Sequence, residues 1–399
     1  MDASAPSASL RDSLPLPLMA GIAALPPLSI DMYLPAMPQI AQDLGADISV
    51  IQNSLSLFLV GFGFGLLVFG PMSDRYGRRP LALFGLSGFA LASLGLTLSG
   101  SSLAFLSFRL LQGFLGSAAT VVIPAMVRDC YGKDAAKGMS AVTMIMLVAP
   151  LLAPLLGAFT LMLGPWQGIF AALTVYPVLL GLLAWRRLPE TRPIAAVAQR
   201  RNIFNNYRII FGKRSIHLDL VSFMLSSLGF FVYITSVSFI YITYYGVNET
   251  LFGILFAFSA GALILANFIN VRVVTRLGPR RMLHIGQVLA VCFVLVLGLT
   301  TWLHLGLVLT VLGFVGMVGS LGICAVNADA LVLIEFPHQA SSASAVTGTL
   351  RFGFGALAGP LLALGYDGTP MPVVWLLLAV LGLSGAAQVL RAYCYRSHA

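Results

Sequence analysis

Four ionisable residues lie deep inside long apolar stretches of the chain: Asp31, Arg109, Asp329 and Arg351. If such a stretch crosses a membrane, an ionised side chain at its centre costs at least about 2.5 kcal/mol unless it is paired or hydrated. All four are therefore candidates for ion or substrate handling. Asp31 lies seven residues before the predicted outer end of its stretch, and Arg109 lies seven residues after the outer start of its own. At about 1.5 Å per helical residue both lie about 10 Å below the outer boundary, so they can share one cavity.

Asp31 is the candidate for proton coupling. Burial in an apolar setting favours its neutral form, whereas a guanidinium nearby favours the carboxylate. A carboxyl group balanced between these effects can take up a proton on one side of a membrane and lose it on the other. The alternative is a static pair with Arg109 that only fixes helix packing. Because guanidinium stays charged, we predict that Arg109 tunes the acid and releases no proton itself.

The residues around Arg109 predict one polar helix face. Arg109, Gln112, Gly113 and Gly116 follow the spacing i, i+3, i+4 and i+7, which places them on the same side of a helix. Glycines on that side allow a neighbouring helix to approach closely. We therefore expect Gln112 to face the same cavity as Arg109.

The other two buried charges, Asp329 and Arg351, could pair across adjacent helices. Their predicted depths differ by about 9 Å, part of which a long arginine side chain can bridge. We predict a structural pair, with a second proton or substrate role as the alternative.

The composition indicates which secondary-structure elements contain these residues. Of 399 residues, 58% are hydrophobic and only 9% are charged, whereas soluble domains carry about a quarter charged residues. Apolar stretches of about 20 residues span a bilayer. Inside lipid they must be helices, because every backbone polar group needs a partner within the segment. We predict an all-α membrane protein with twelve such helices, called spans 1 to 12, at 15–38, 49–72, 80–99, 102–127, 137–161, 165–185, 217–243, 250–272, 281–302, 305–334, 340–364 and 371–391.

The positive charges orient these spans. With this topology 21 of the 23 Lys and Arg residues lie on one side of the membrane, and the other two are Arg109 and Arg351. Lys and Arg accumulate in cytoplasmic loops, which predicts that both termini are cytoplasmic. A net charge of +9 would suggest nucleic acid in a soluble protein. Here the topology accounts for it, and we predict the lipid bilayer and no nucleic acid as the partner.

The chain divides into two similar halves. The longest polar connection, 186–216, is predicted to be a cytoplasmic linker between six-helix bundles at 1–185 and 217–399. The sequence SDRYGRR at 73–79 follows span 2, and VTRLGPRR at 274–281 follows span 8. Aligning Gly77 with Gly278 pairs two arginines in each stretch. Six spans plus six with a repeated loop is typical of rocking-bundle transporters.

The loop after span 2 reads GPMSDRYGRR at 70–79. It is similar to the cytoplasmic loop motif of the major facilitator superfamily, a resemblance that covers nearly the whole chain. Gly77 permits a tight turn, and Asp74 can pair with Arg78 to form a latch that opens during the transport cycle. We predict gating roles for Asp74, Arg75, Arg78 and Asp129, where Asp129 joins the latch from span 4. The alternative is that these residues are only positive-inside anchors.

Within that superfamily, three stretches resemble the bicyclomycin- and chloramphenicol-resistance (Bcr/CflA-type) drug:proton antiporters. They are SIDMYLP at 29–35, FRLLQG at 108–113 and APLLAPLLG at 149–157. Arg351 departs from the resembling proteins, where a neutral polar residue is more usual. The resemblance implies a proton-driven exporter of small antibiotics in a bacterial inner membrane. It also implies that Pro150, Pro154 and Gly157 of span 5 help to close the outer side, while an ordinary kink is the alternative.

Aromatic rings, amides and one carboxyl group predict a pocket for an amphiphilic, drug-sized compound. The predicted lining residues are Tyr33, Met37, Asn53, Gln112, Phe231, Tyr233 and Asn267. For any one ring, packing is the alternative role. An exporter or facilitator of an endogenous metabolite is the alternative function.

Other chemistry finds little support in the residues. The chain has no Walker-type loop, so we predict no ATP-driven transport by this chain. It also has no nucleophile–base arrangement, so we predict that it is not an enzyme. The five histidines and four cysteines are scattered, which predicts no metal site and no disulfide. We expect no cofactor and a monomer.

Overall fold

The computed structural model describes residues 16–131, 135–191, 203–213, 216–336 and 340–395. In these residues helices follow one another with short connections and no strand occurs. They form two compact units. The first is built from the first half of the chain up to Arg201, and the second from the rest, with the short stretch Asp47–Ser56 of span 2 counted in the second unit.

Six spans belong to the first half of the chain, and two of them are broken. Between Leu16 and Asp43 span 1 contains five prolines, whose missing N–H groups interrupt helical hydrogen bonding. It therefore runs as several pieces between Leu16 and Asp43. The bounds are Leu16–Ala23, Leu25–Asp31, Leu34–Ala36 and Met37–Asp43 for span 1, Ile48–Tyr76 for span 2, Arg78–Thr97 for span 3, Ser102–Thr120 with Val122–Tyr131 for span 4, Ala135–Leu163 for span 5 and Gln167–Arg187 for span 6.

The second half contains the linker helix, Ile203–Gly212, and six further spans. Spans 8 and 9 lie in one run, Glu249–Trp302, whose 54 residues would measure about 80 Å if straight, more than twice the hydrocarbon core of about 30 Å. The run is broken at Gly278, which has non-helical angles. The other bounds are His217–Ser238 with Phe239–Tyr244 for span 7, Leu307–Ile334 for span 10, Ala340–Gly355 with Ala358–Leu364 for span 11 and Met371–Tyr395 for span 12.

Ten described helices are long and apolar enough to cross a membrane. Counting Glu249–Trp302 as two crossings and adding the broken span 11 gives the twelve predicted spans. The all-α membrane fold is confirmed. The predicted limits of the two bundles, 1–185 and 217–399, stay a prediction.

The two aligned loops share one backbone conformation. Gly77 has φ 104° and ψ 159°, and Gly278 has φ 78° and ψ 157°. Positive φ values of this kind suit glycine, which has no Cβ to clash with the backbone. The same turn therefore follows spans 2 and 8, as the repeated sequence predicts.

The linker helix packs on the second unit. Ile210 is fully buried in a cluster with Leu220, Val332 and Phe336. Lys213, just after the helix, forms an ion pair with Glu335. The predicted polar linker thus contains an anchored helix in its second part, while residues 192–202 and 214–215 lie outside the described part of the chain.

Candidate functional site

Asp31 is the last residue of the second helical piece of span 1. Asp31 is only 4% exposed, and its Oδ1 atom has no hydrogen-bond partner among the described residues. The break that follows places span 5 beside it, because a Cβ added to Gly157 would lie 1.9 Å from the Met32 carbonyl oxygen. Asp31 is therefore a buried carboxyl group at a point where two helices nearly touch.

Arg109 is fully buried and is held on two sides by rings. Its Cζ atom lies 4.3 Å from the centre of the Tyr33 ring and 4.7 Å from that of Phe58. Its Nη1 group donates to the Ser29 carbonyl oxygen at 3.2 Å, to Ser29 Oγ at 3.0 Å and to Gln112 Oε1 at 2.6 Å. Its Nε and Nη2 atoms have no hydrogen-bond partner among the described residues. Hydrogen bonds therefore fix the guanidinium at Nη1, while the N–H groups at Nε and Nη2 are without acceptors among the described residues.

The described residues contain no ion pair between Asp31 and Arg109. Arg109 contacts Ser29, and side chains two residues apart leave a helix in directions about 200° apart. The static pair considered as an alternative role for Asp31 is therefore absent from this structure. The proton-coupling role of both residues stays a prediction.

Gln112 acts as a brace for Arg109. It accepts from Arg109 and from Ser29 Oγ, the latter at 3.1 Å, and its Nε2 donates to Ser93 Oγ at 2.8 Å. A Cβ at Gly113 would lie 2.1 Å from the Phe58 carbonyl oxygen, which is the close helix approach predicted from the glycines. Every polar atom of the Gln112 amide is engaged, so its role here is to position the guanidinium.

The predicted latch has a different set of partners. Arg78 Nε donates to Asp129 Oδ2 at 3.3 Å, and the Arg78 guanidinium also bonds to Ser73 Oγ. The side chain of Asp74 lies outside what the structure describes, so its predicted pairing with Arg78 stays a prediction. The Arg75 guanidinium lies over the neighbouring Tyr76 ring, 5.3 Å from its centre.

Glu190 completes this cluster, and no role was assigned to it from the sequence. Its carboxylate accepts from the backbone N–H groups of Arg78 at 3.0 Å and Arg79 at 3.1 Å. These groups begin span 3, where unpaired N–H donors and the helix dipole favour an anion. We call Ser73, Arg78, Asp129 and Glu190 the Arg78 cluster.

Sequence reasoning also missed a charged cluster in the second unit. Asp219 is 1% exposed and accepts from Arg280 at 3.2 and 3.3 Å, from Arg391 at 2.8 Å and from Gln388 at 3.2 Å. We call these four residues the Asp219 cluster. Asp219 stands in the first turn of span 7, where a hydropathy profile treats an acid as interfacial, so its burial left no signal.

Asp329 and Arg351 do not form a direct ion pair among the described residues. The Arg351 Cζ atom lies 5.4 Å from the centre of the Phe223 ring, and Asp329 Oδ1 has no hydrogen-bond partner. The predicted structural pair is therefore not closed in this structure.

The predicted lining residues fall into separate groups. Tyr33 contacts Arg109, and Met37 is fully buried next to the break in span 1. In the second unit, the Phe231 ring packs against Gly355, and Tyr233 stacks on Phe256 with 5.9 Å between ring centres. The two amides, Asn53 and Asn267, are half-buried, and each has a side-chain oxygen without a hydrogen-bond partner among the described residues.

Comparison with known proteins gives a consistent result. Residues 19–360 match the family model described as Major Facilitator Superfamily. A bicyclomycin resistance protein homolog of Haemophilus influenzae is 33% identical over 91% of this chain and 92% of its own length. A chloramphenicol resistance protein of Pseudomonas aeruginosa is 33% identical over 93% of this chain and 90% of its own length.

A solved structure supports the fold. The crystal structure of a D-xylose-proton symporter matches with a TM-score of 0.69 over 95% of both chains. Since only 16% of the aligned residues are identical, this likeness concerns the fold alone.

Proposed function

Because this chain belongs to the major facilitator superfamily, and is thus a multi-pass membrane transporter and not an enzyme, we propose that it exports small drug-like compounds in exchange for protons. The names of its full-length relatives support antibiotics of the bicyclomycin or chloramphenicol kind as substrates. We further propose that it works as a monomer by alternating access in a bacterial inner membrane, with both termini in the cytoplasm.

One observation carries the proton coupling: a buried carboxyl group and a buried guanidinium lie in one unit, each with unsatisfied polar atoms. A carboxylate without a partner in an apolar interior is strongly disfavoured, so Asp31 holds a proton in this conformation. To lose that proton, the group needs water or a cation. The Nε and Nη2 atoms of Arg109 lie on the edge of the guanidinium that binds carboxylates with two parallel hydrogen bonds.

The contacts of Arg109 support a fixed cation and a mobile acid. Two rings, Ser29 and Gln112 hold the guanidinium, while no hydrogen bond among the described residues holds the Asp31 Oδ1 atom. Asp31 also lies beside the break in span 1, where few helical hydrogen bonds resist a local change. The acid therefore alternates between a protonated, unpaired state and an ionised, hydrated or paired state against a fixed cation.

The replacement Asp31→Asn tests this function. An amide cannot carry a proton between the two sides, so we expect accumulation of labelled chloramphenicol in proteoliposomes under a pH gradient to fall at least about tenfold. Exchange of labelled for unlabelled chloramphenicol without a gradient should persist. Asp43 ends the same span and accepts a hydrogen bond from Trp166 at 2.8 Å, so the replacement Asp43→Asn is the control. It should leave both assays unchanged.

Two results would contradict the proposal. Gradient-driven accumulation by the Asp31→Asn variant at the wild-type rate would exclude Asp31 as the proton carrier. Wild-type exchange with no accumulation under any pH gradient would indicate a passive facilitator instead.

A further inference from the structure

The turn between spans 8 and 9 carries more positive charge than its counterpart between spans 2 and 3. Aligned on the two glycines, the stretch 71–80 contains three arginines and Asp74, whereas 272–281 contains four arginines and no acid. The additional arginines, Arg272 and Arg281, stand where the first stretch has prolines. The second turn therefore needs anionic partners that its own sequence does not supply.

One of the four arginines has such a partner in the second unit, and the other three do not. Arg280 donates to the Asp219 carboxylate at 3.2 and 3.3 Å. Arg272, Arg276 and Arg281 are exposed, and none of their side chains forms a hydrogen bond or an ion pair with another described residue. Three guanidinium groups of one turn are thus available to an anion that is not part of the chain.

These three arginines lie at the predicted membrane boundary. Arg272 is the last residue of predicted span 8, and Arg281 is the first residue of predicted span 9. The helix is continuous from Arg272 to Arg276, because the residue with non-helical angles is Gly278. Side chains four residues apart lie on one helix face, with Cβ atoms about 6 Å apart. Arg272 and Arg276 therefore present two neighbouring guanidinium groups at the level of the lipid phosphates.

Exposed apolar side chains continue from these arginines toward the membrane centre. Phe268 lies one turn before Arg272 on the same face, and its ring centre is 3.9 Å from the Arg272 Cζ atom. The Phe268 residue is 53% exposed, and Leu265 and Ile269 beside it are exposed as well. On the other side of the turn, Ile285 of span 9 is also exposed. Cations next to an exposed ring and apolar surface match the order of chemical groups in a phospholipid, from phosphate to acyl chain.

We propose that the turn between spans 8 and 9 binds an anionic phospholipid. Arg272 and Arg276 donate to its phosphate oxygens, Arg281 binds the head group from the other end of the turn, and an acyl chain lies along Phe268. Guanidinium groups bind phosphate with two parallel hydrogen bonds, and basic groups beside membrane helices recognise anionic head groups. The proposed topology makes this the cytoplasmic leaflet, but the binding itself requires neither drug export nor proton coupling.

The lack of acids in the stretch 272–281 selects among lipids. Phosphatidylethanolamine carries an ammonium group beside its phosphate, and this stretch has no carboxylate to receive it. Phosphatidylglycerol carries the same phosphate with an uncharged glycerol. A basic residue near an anionic lipid surface contributes a factor of about five to binding. The site should therefore prefer phosphatidylglycerol.

Titration of the purified, delipidated full-length protein in detergent tests this preference. Dioctanoyl phosphatidylglycerol and dioctanoyl phosphatidylethanolamine share their chains and phosphate, while glycerol phosphate has no chains. We expect phosphatidylglycerol to bind at least about tenfold more tightly than either of the other two ligands. Equal binding of the two lipids would overturn the proposal. Equally tight binding of glycerol phosphate would overturn it too, because the turn would then be a site for soluble anions.

A double variant assigns the preference to the two neighbouring arginines. Arg272→Gln with Arg276→Gln should weaken phosphatidylglycerol binding about 25-fold and remove most of its advantage over phosphatidylethanolamine. The thermal unfolding midpoint should not change, since both side chains are exposed and have no ion pair to lose. The matched control is Arg186→Gln with Arg187→Gln, which removes the same charge from two exposed residues at the end of span 6. Adjacent helical residues point about 100° apart and do not share one face, so this control should keep the lipid preference.

The variants separate a lipid site from a general attraction between opposite charges. A control that loses the preference as much as the double variant would show that the overall positive charge attracts the lipid, and the proposed site would be wrong. A double variant with the wild-type preference would also contradict it. Neither result depends on the chloramphenicol assays, and a facilitator without proton coupling would still bind the lipid at this turn.

Discussion

The Arg78 cluster and the Asp219 cluster each include an arginine that follows a glycine turn of the same conformation. The residue at the centre is a cation in the first cluster and an anion in the second. In the first unit the side chain of a buried arginine, 4% exposed, pairs with Asp129 and bonds to Ser73, while Glu190 accepts from its backbone N–H. In the second unit a buried aspartate, 1% exposed, is surrounded by two arginines and an amide. The turns at Gly77 and Gly278 therefore set where charges meet, and not which sign lies at the centre.

One residue next to each glycine explains part of this difference. Arg78 follows Gly77, and its backbone N–H donates to Glu190. The residue after Gly278 is Pro279, which has no N–H to donate. An acid placed like Glu190 would lose one of its two backbone donors there, and the Asp219 cluster instead uses side chains alone.

Asp219→Asn should give the largest effect on this comparison. The replacement leaves Arg280 and Arg391 side by side without their shared counterion. Because the new amide must turn an NH2 donor toward arginine N–H donors at a position that is 1% exposed, we expect a loss of about 3 kcal/mol in the free energy of unfolding. A fall in the thermal unfolding midpoint in detergent would report it, and Asp367→Asn in an exposed loop is the control.

Arg78→Gln should cost less, about 2 kcal/mol. It removes one ion pair at 3.3 Å and the bond to Ser73, but the backbone bonds to Glu190 remain. The same unfolding assay measures it. A larger loss than for Asp219→Asn would mean that the two clusters do not differ in the way proposed here.

The matched glycine variants give the smallest effect. Alanine at either position must adopt a positive φ with ψ near 160°, a region essentially confined to glycine, which costs about 1 kcal/mol or more. A Cβ at Gly77 would also lie 2.6 Å from Glu190 Oε2, whereas nothing lies within 4 Å of a Cβ at Gly278. We expect Gly77→Ala to be the more destabilising of the two in thermal unfolding. Equal losses would show that Glu190 moves aside without cost.

At the two glycines the backbone turn was predictable from the sequence, but the partners of the neighbouring arginines were not. The repeat SDRYGRR and VTRLGPRR predicts a shared turn, and both glycines adopt it, because a positive φ depends on one residue and its neighbours. The partners of the adjacent arginines were not predicted. Glu190 lies 112 residues from Arg78 and Arg391 lies 172 residues from Asp219, and no local pattern reports such distances.

The sequence by itself determined that this protein is helical, crosses a membrane about twelve times and repeats its organisation. These properties follow from apolar length, backbone satisfaction in lipid and the distribution of Lys and Arg, each of which can be read along the chain. Only the tertiary structure decided that Arg109 contacts Ser29 and Gln112 while the Asp31 Oδ1 atom has no partner among the described residues. The spans are apolar on nearly every side, so their periodicity does not reveal how each helix is rotated, and that rotation determines which buried charges meet.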